Sequence, residues 1–200
     1  MRLAAARVHS PVIIVVHGGQ TGVDRGAHEA ALSCGWNIAG YMPIDRRDER
    51  GAIPDDVARF LIAHDKPGYA ARTEANVRSA NAALIIVRDA AEAHTTPGTA
   101  MTINLVIERR LPRRVVDVTY DAAEIARWLW NDLLSPRAPM LPLLGFVAAP
   151  APNRLLIAGP RESKWPGART KAAVLLCRIA TSLVEISRDC QNQDLARQER

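Results

Sequence analysis

Val12-Ile13-Ile14-Val15-Val16-His17-Gly18-Gly19-Gln20-Thr21-Gly22-Val23-Asp24-Arg25-Gly26 is the stretch on which the fold turns. Its first five residues are branched and apolar without a polar interruption, the pattern of a strand covered on both faces. Four glycines follow within residues 18–26. Thr21–Ser33 then reads as a helix, with Gly35 placed to cap its C-terminus. A buried strand running through glycines into a helix is the opening of a parallel α/β unit. Glycine lets backbone amides approach an anion closely, and a helix N-terminus adds partial positive charge. Thr21 and Arg25 can add a hydroxyl and a guanidinium donor. A tight turn with Thr21 or Asp24 as an ordinary helix cap is the competing reading; the glycine density exceeds what a cap needs.

The same alternation continues along the chain. Trp36–Tyr41 reads as a weaker strand stopped by Pro43, residues 43–51 as a polar surface loop, and Asp55–His64 and Tyr69–Ser79 as helices. Ala82–Val87 is a second buried strand, followed by a helix over Thr99–Arg110, a strand over Arg114–Val118 and an amphipathic helix over Ala122–Leu134. Residues 135–153 then carry five prolines, a linker signature. Beyond them, Leu155–Ala158 and Ala168–Ile186 form a further strand and helix, and residues 187–200 read as a polar, frayed tail. The expected fold is α/β, a Rossmann-like parallel sheet with helices on both faces. Residues 1–186 are expected to form one ligand-binding domain, with 135–153 as a proline-rich connection.

Composition limits the function classes. The chain has 200 residues, 48% of them apolar and 24% charged, which is ordinary globular usage. A net charge of +5 favours anionic ligands without constraining the fold. Three cysteines, Cys34, Cys177 and Cys190, stand in no metal-ligand spacing, so neither a disulfide framework nor a zinc site is expected. No apolar run reaches the ~18 residues needed to cross a bilayer, and Met1–Arg7 lacks the apolar core of a secretion signal. A soluble, cytoplasmic protein is expected. The four tryptophans have no interleaved basic stripe, which argues against nucleic acid as a partner.

Parallel strands deliver their carboxyl ends, and the ligand loops that follow, to one side of a sheet. The expected site therefore gathers Gly18, Gly19, Gln20, Thr21, Gly22, Asp24 and Arg25 from the first loop. Thr96, Gly98 and Thr99 join from the helix start after the second buried strand, and Arg161, Glu162 and Ser163 from the last βα turn. Helical periodicity puts Arg72 and Asn76 on one face bordering them. An anion is expected on the amides of Gly19–Gly22. Helix capping at the second loop and a surface ion pair between Arg161 and Glu162 remain the alternatives.

Gly18-Gly19-Gln20-Thr21-Gly22-Val23-Asp24-Arg25-Gly26-Ala27, Pro43 with Arg46-Arg47, Gly51-Ala52-Ile53-Pro54, Tyr69 with Arg72-Thr73 and Asn76-Val77, Ala82–Ile86, and Gly98-Thr99-Ala100 with Thr102 together resemble the putative molybdenum carrier family. The resemblance covers roughly residues 11–120. Those proteins look like a circularly permuted branch of the superfamily that includes the Lonely Guy phosphoribohydrolases, often misnamed lysine decarboxylases, and DNA-processing protein A. It implies that Leu155–Ser163 is the usual first strand and turn, moved to the end of the chain. Nineteen residues at ~3.1 Å each could return it to the sheet.

Arg72 matches the helix arginine of the phosphoribohydrolases, but Thr102 stands at their catalytic glutamate and cannot act as a carboxylate acid or base. Asp45 stands where other members tend to carry glycine. The leading expectation is a binding or carrier protein for a phosphate-bearing small molecule, which the resemblance makes molybdenum cofactor or molybdate. A nucleotide-directed enzyme using Asp24 or Glu162 is the second, and a single-stranded nucleic-acid binder the third. The related families tend to self-associate, so a homo-oligomer, dimer or tetramer, is expected.

Overall fold

Five of the apolar runs assemble into one parallel sheet. The computed structural model describes residues 12–134 and 153–198. Its strands are β1 (Ile14–Val16), β2 (Asn37–Ala39), β7 (Ala82–Val87), β8 (Arg113–Asp117) and β9 (Arg154–Ala158), in the order β2-β1-β9-β7-β8. The strand nearest the C-terminus thus lies at the centre, paired with Ile14–Val16 on one side and Ala82–Ile85 on the other. That is the permuted Rossmann-like arrangement which the resemblance implies. The connection across residues 135–152 lies outside the described residues.

Period-2 alternation sends successive side chains to opposite faces. Ile13, Val15, Leu84, Ile86, Leu155 and Ile157 pack beneath α1 (Val23–Cys34), α5 (Ala122–Leu129) and α6 (Ala168–Gln198). Val16, Ala83, Ile85, Val87 and Leu156 face α3 (Tyr69–Arg78) and α4 (Pro97–Glu108) through Val77, Ile103 and Val106. Along α6, Leu175, Leu176, Ile179 and Leu183 are all buried, each contributing ~1.5–3 kcal/mol. The helices after β9 and β7, neighbours at the sheet centre, therefore lie on opposite faces. A crevice opens between two such strand ends.

Several elements depart from their sequence reading. Gly40, at φ +137°, breaks the 36–41 strand, and the chain resumes as β3 (Tyr41–Met42). The 43–51 loop contains an antiparallel hairpin, β4 (Arg47–Asp48) with β5 (Gly51–Ala52). The expected Asp55–His64 helix ends after one turn, α2 (Asp55–Ala58). Residues beyond it form β6 (Ile62–Ala63), which pairs in parallel with β3, Ile62 N–H donating to Gly40 and His64 N–H to Met42. Long-range pairing there outcompetes local helix propensity. A π-turn over Trp130–Leu134 completes the 122–134 helix. Residues 187–198 continue α6 where a frayed tail was expected. No proline or glycine interrupts 168–198, and Ser187 is buried.

Candidate functional site

The glycine loop turns out to be occupied from within. Asp24 folds back from the first turn of α1, and its Oδ2 accepts the N–H groups of Gly18 at 3.0 Å and Gln20 at 3.1 Å. His17 Nδ1 accepts the Gly19 N–H at 3.1 Å. Two of the four amides expected to hold an anion, those of Gly19 and Gln20, are thus already taken by side chains, which corrects the expectation at those two positions. The physical reason is local: Asp24 lies four residues beyond Gln20 and supplies its own carboxylate where a ligand anion would sit. His17 is fully buried, and its Nε2 lies 3.3 Å from His28 Nδ1. Because Nδ1 of His17 is an acceptor, the hydrogen bonds assign its proton to Nε2. Burial, then the neighbouring His28, Arg25 and Arg72, lower its pKa to about 3.

One side of the loop is tied down by the hairpin. Arg25 Nη2 meets Asp48 Oδ2 at 2.8 Å, and Gln20 Nε2 donates to the Arg47 carbonyl at 3.3 Å. Thr21 and Ser163 both donate hydroxyl hydrogen bonds to the Glu49 carboxylate. Glu162 N–H donates to Thr21 Oγ1 at 3.2 Å, while its carboxylate accepts the Gly167 and Arg169 amides at the start of α6. Thr21, Gly22, Arg25 and Glu162 border a cavity on this side with Asp48 and Arg169. Gly19 faces inward, where an added Cβ would lie 2.8 Å from Leu61 Cδ1. Gly19, Thr21, Gly22, Arg25, Glu162 and Ser163 do not line the crevice between β9 and β7 in which the sequence reading grouped them.

The other side opens into a cavity of about 210 Å³ at the crevice between β9 and β7. Of the expected residues it brings together Gly18, Gln20, Asp24, Arg72, Asn76, Thr96, Gly98, Thr99 and Arg161. Arg72 lies across Gly18 so closely that a Cβ there would sit 1.5 Å from its Nη1 and 3.2 Å from Asp24 Oδ2. Only glycine leaves that space. Arg72 and Arg161 flank the Tyr69 ring at 5.9 Å and 4.5 Å from its centroid. Asn76 clasps the Tyr41 backbone, accepting from its N–H at 2.7 Å and donating to its carbonyl at 3.0 Å. Thr102 donates to the Gly98 carbonyl at 3.0 Å. The N-terminus of α4 enters through Thr96–Thr99, with the orphan amides and positive dipole end of a first helical turn.

Three buried polar atoms of this cavity's lining residues have no hydrogen-bond partner: Gln20 Oε1, Arg72 Nε and Thr99 Oγ1. Each such atom costs ~1–3 kcal/mol when desolvated unpaired. Burial lowers the Arg72 pKa against the opposing pull of Asp24. Burial likewise raises the Asp24 pKa, with Arg72, the Gln20 and Gly18 amides and Arg161 pulling it back. Sequence reasoning missed Tyr69, Thr73 and Lys164 in this lining. Tyr69 stands one turn before Arg72 on α3, an i, i+3 spacing that could have flagged it; Lys164 carried no such signal. Glu49 was hidden inside what read as a solvated loop. No group of three or more His, Cys, Asp or Glu suited to a metal ion occurs among the described residues, and no described helix is long and apolar enough to cross a membrane.

Comparison with solved structures finds a crystal structure of a putative molybdenum carrier protein from Syntrophus aciditrophicus SB, with TM-score 0.67 and 24% sequence identity. The match covers 85% of this chain and 95% of that one, and at this identity it speaks for the fold. A search of curated proteins finds no match. The family model described as the circularly permutated YpsA SLOG family matches residues 15–180, spanning all five strands of the main sheet except the first residue of β1. With its last strand returned to the centre of the sheet, this chain belongs to the circularly permutated YpsA SLOG family.

Proposed function

We propose that the protein is a binding or carrier protein for a small ligand bearing a phosphate or a similar oxyanion, held between β9 and β7. The observation that carries this reading is that Arg72, Thr99 and Gln20, each with a buried and unpartnered polar atom (Nε, Oγ1 and Oε1), all line one cavity. Two donors and an acceptor left unpaired are explained by a ligand that completes their hydrogen bonds. Arg72 and Arg161 supply charge-assisted bonds, and the α4 N-terminus supports the same sign of ligand charge. The crystallised neighbour's name points to a molybdenum carrier. Molybdate and a nucleotide phosphate present the same anionic oxygens to these groups. The cavity lining contains no cysteine or histidine, so hydrogen bonding rather than metal ligation would hold either one.

Calorimetric titration with AMP, inorganic phosphate and molybdate tests the reading. At least one of the three should bind the native protein, and Arg72→Met should weaken that binding about 10- to 100-fold while leaving the circular dichroism spectrum intact. Unchanged affinity in Arg72→Met, or no binding by any of the three, overturns it.

One observation favours a second reading, proton transfer to a bound nucleotide. Asp24 lines the cavity with a carboxyl pKa raised by burial, the environment of a general acid. Thr102 provides no alternative carboxylate. Turnover of a nucleotide that disappears in Asp24→Asn, with binding retained, would make the protein an enzyme.

A further inference from the structure

Two thiols separated by 143 positions meet where α1 ends against α6. The Sγ atoms of Cys34 and Cys177 lie 3.7 Å apart, with Cys34 as donor, and both residues are half-buried. The helices that carry them are in intimate contact: a Cβ on Gly26 would sit 2.2 Å from the Arg169 carbonyl oxygen and 2.9 Å from Ala172 Cβ. Helix α1 begins at the glycine loop and ends at Cys34, so this pair lies at the edge of the sheet away from the ligand cavity. We propose that Cys34 and Cys177 form a redox modification site, closing to an intramolecular disulfide when hydrogen peroxide oxidises Cys177.

The chemistry assigns different tasks to the two sulfurs. Burial, with the hydrogen bond to Cys177, pushes the Cys34 thiol up to about 12, so Cys34 stays protonated and does not begin the reaction. Cys177 borders a shallow surface cleft with Val174, Arg178 and Thr181, through which a peroxide reaches its sulfur. The Cys177 thiolate attacks one peroxide oxygen and breaks the O–O bond, giving a sulfenic acid and, after protonation, water. The Cys34 sulfur then attacks the sulfenic sulfur, its proton leaves with the hydroxyl group as a second water, and the S–S bond forms. Two thiols lose two electrons, which reduce one peroxide to two waters.

A disulfide bond of ~2.05 Å requires the sulfurs to approach further, a shift within reach of side-chain rotation between contacting helices. Its effect is to tie α6, and with it the permuted β9–α6 unit, covalently to the N-terminal βα unit. Cys190 lies thirteen residues beyond Cys177 on the same helix, ~20 Å away along the axis, and serves as the internal control.

Full-length reduced protein is treated with one equivalent of hydrogen peroxide, remaining thiols are alkylated, and the peptides are mapped by mass spectrometry. The expected result is loss of two hydrogen atoms, a Cys34–Cys177 cross-linked peptide reversed by dithiothreitol, and an alkylated Cys190. Cys34→Ser should instead accumulate a sulfenic acid at Cys177 that dimedone traps, while Cys190→Ser should oxidise as the native chain does. Should Cys34→Ser fail to fold, the native peptide map decides alone. Oxidation of Cys177 to sulfinic acid beside a free Cys34, a disulfide to Cys190 or to a second chain, or no oxidation overturns the proposal.

Discussion

The two sides of the glycine loop are built from the same few residues and differ in how their polar groups are satisfied. Toward the hairpin, Arg25 has Asp48, Thr21 and Ser163 share Glu49, and Glu162 caps α6. Toward β9 and β7, Arg72, Thr99 and Gln20 each keep a buried polar atom without a partner. Both sides are rich in charge, so charge by itself does not locate a ligand. The difference lies in completion: on one side the polar groups are paired with the chain's own side chains, and on the other three buried polar atoms stay unpaired.

The largest effect should come from acid, which attacks the floor shared by both sides. His17 binds its proton near 6.5 when unfolded and only near 3 when folded. The unfolded state therefore holds more protons across that interval, and stability is lost as pH falls from 6.5 towards 3. The full loss amounts to roughly 4–5 kcal/mol. Urea unfolding midpoints measured across this range should fall, and His17→Gln should flatten the dependence. A midpoint unchanged down to pH 4 would show that His17 does not support the loop as described.

Gly22→Ala should be nearly as damaging, because it strikes the join between the sides. Gly22 has φ +73°, and a Cβ would lie 2.4 Å from the Pro160 carbonyl oxygen. Backbone strain and the clash together should cost ~3 kcal/mol or more, visible as a lowered thermal midpoint. A tolerated alanine would mean that the first and last βα turns are not held together here.

Arg72→Met separates the sides most directly. On the open side it should weaken anion binding about 10- to 100-fold, the loss of a charge-assisted bond of ~1.5–3 kcal/mol. Thermal stability should change little, since removing a desolvated guanidinium with an unpartnered Nε is offset by the loss of its attraction to Asp24. A large loss of stability without a binding defect would assign Arg72 to the scaffold instead.

Asp48→Asn makes the complementary change on the closed side, with the smallest expected effect. It should destabilise the protein by ~1–2 kcal/mol, because Arg25 keeps its charge and loses its ion partner at a partly buried position. Ligand affinity should stay within about twofold, a difference below ~0.5 kcal/mol, in the same titration used for Arg72→Met. A fall as large as that of Arg72→Met would merge the two sides into one site.

Sequence periodicity alone marked the strands of the main sheet and most of the helices that cover it. Unbroken runs such as Ala82–Val87 are covered on both faces wherever they land, and glycines 18, 19, 22 and 26 mark the strand-to-helix turn in any context. Helical spacing on α3 also placed Arg72 and Asn76 on one face, and the structure brings both to the cavity lining. What periodicity could not decide was partnership. Whether an amide of the glycine loop meets a ligand or Asp24, whether Glu49 faces water or Thr21, and whether 59–64 stays helical or pairs with β3 all depend on segments distant in the chain. Hydrogen bonds act over about 3 Å, so only the packed tertiary structure determines which donors find an acceptor and which remain open.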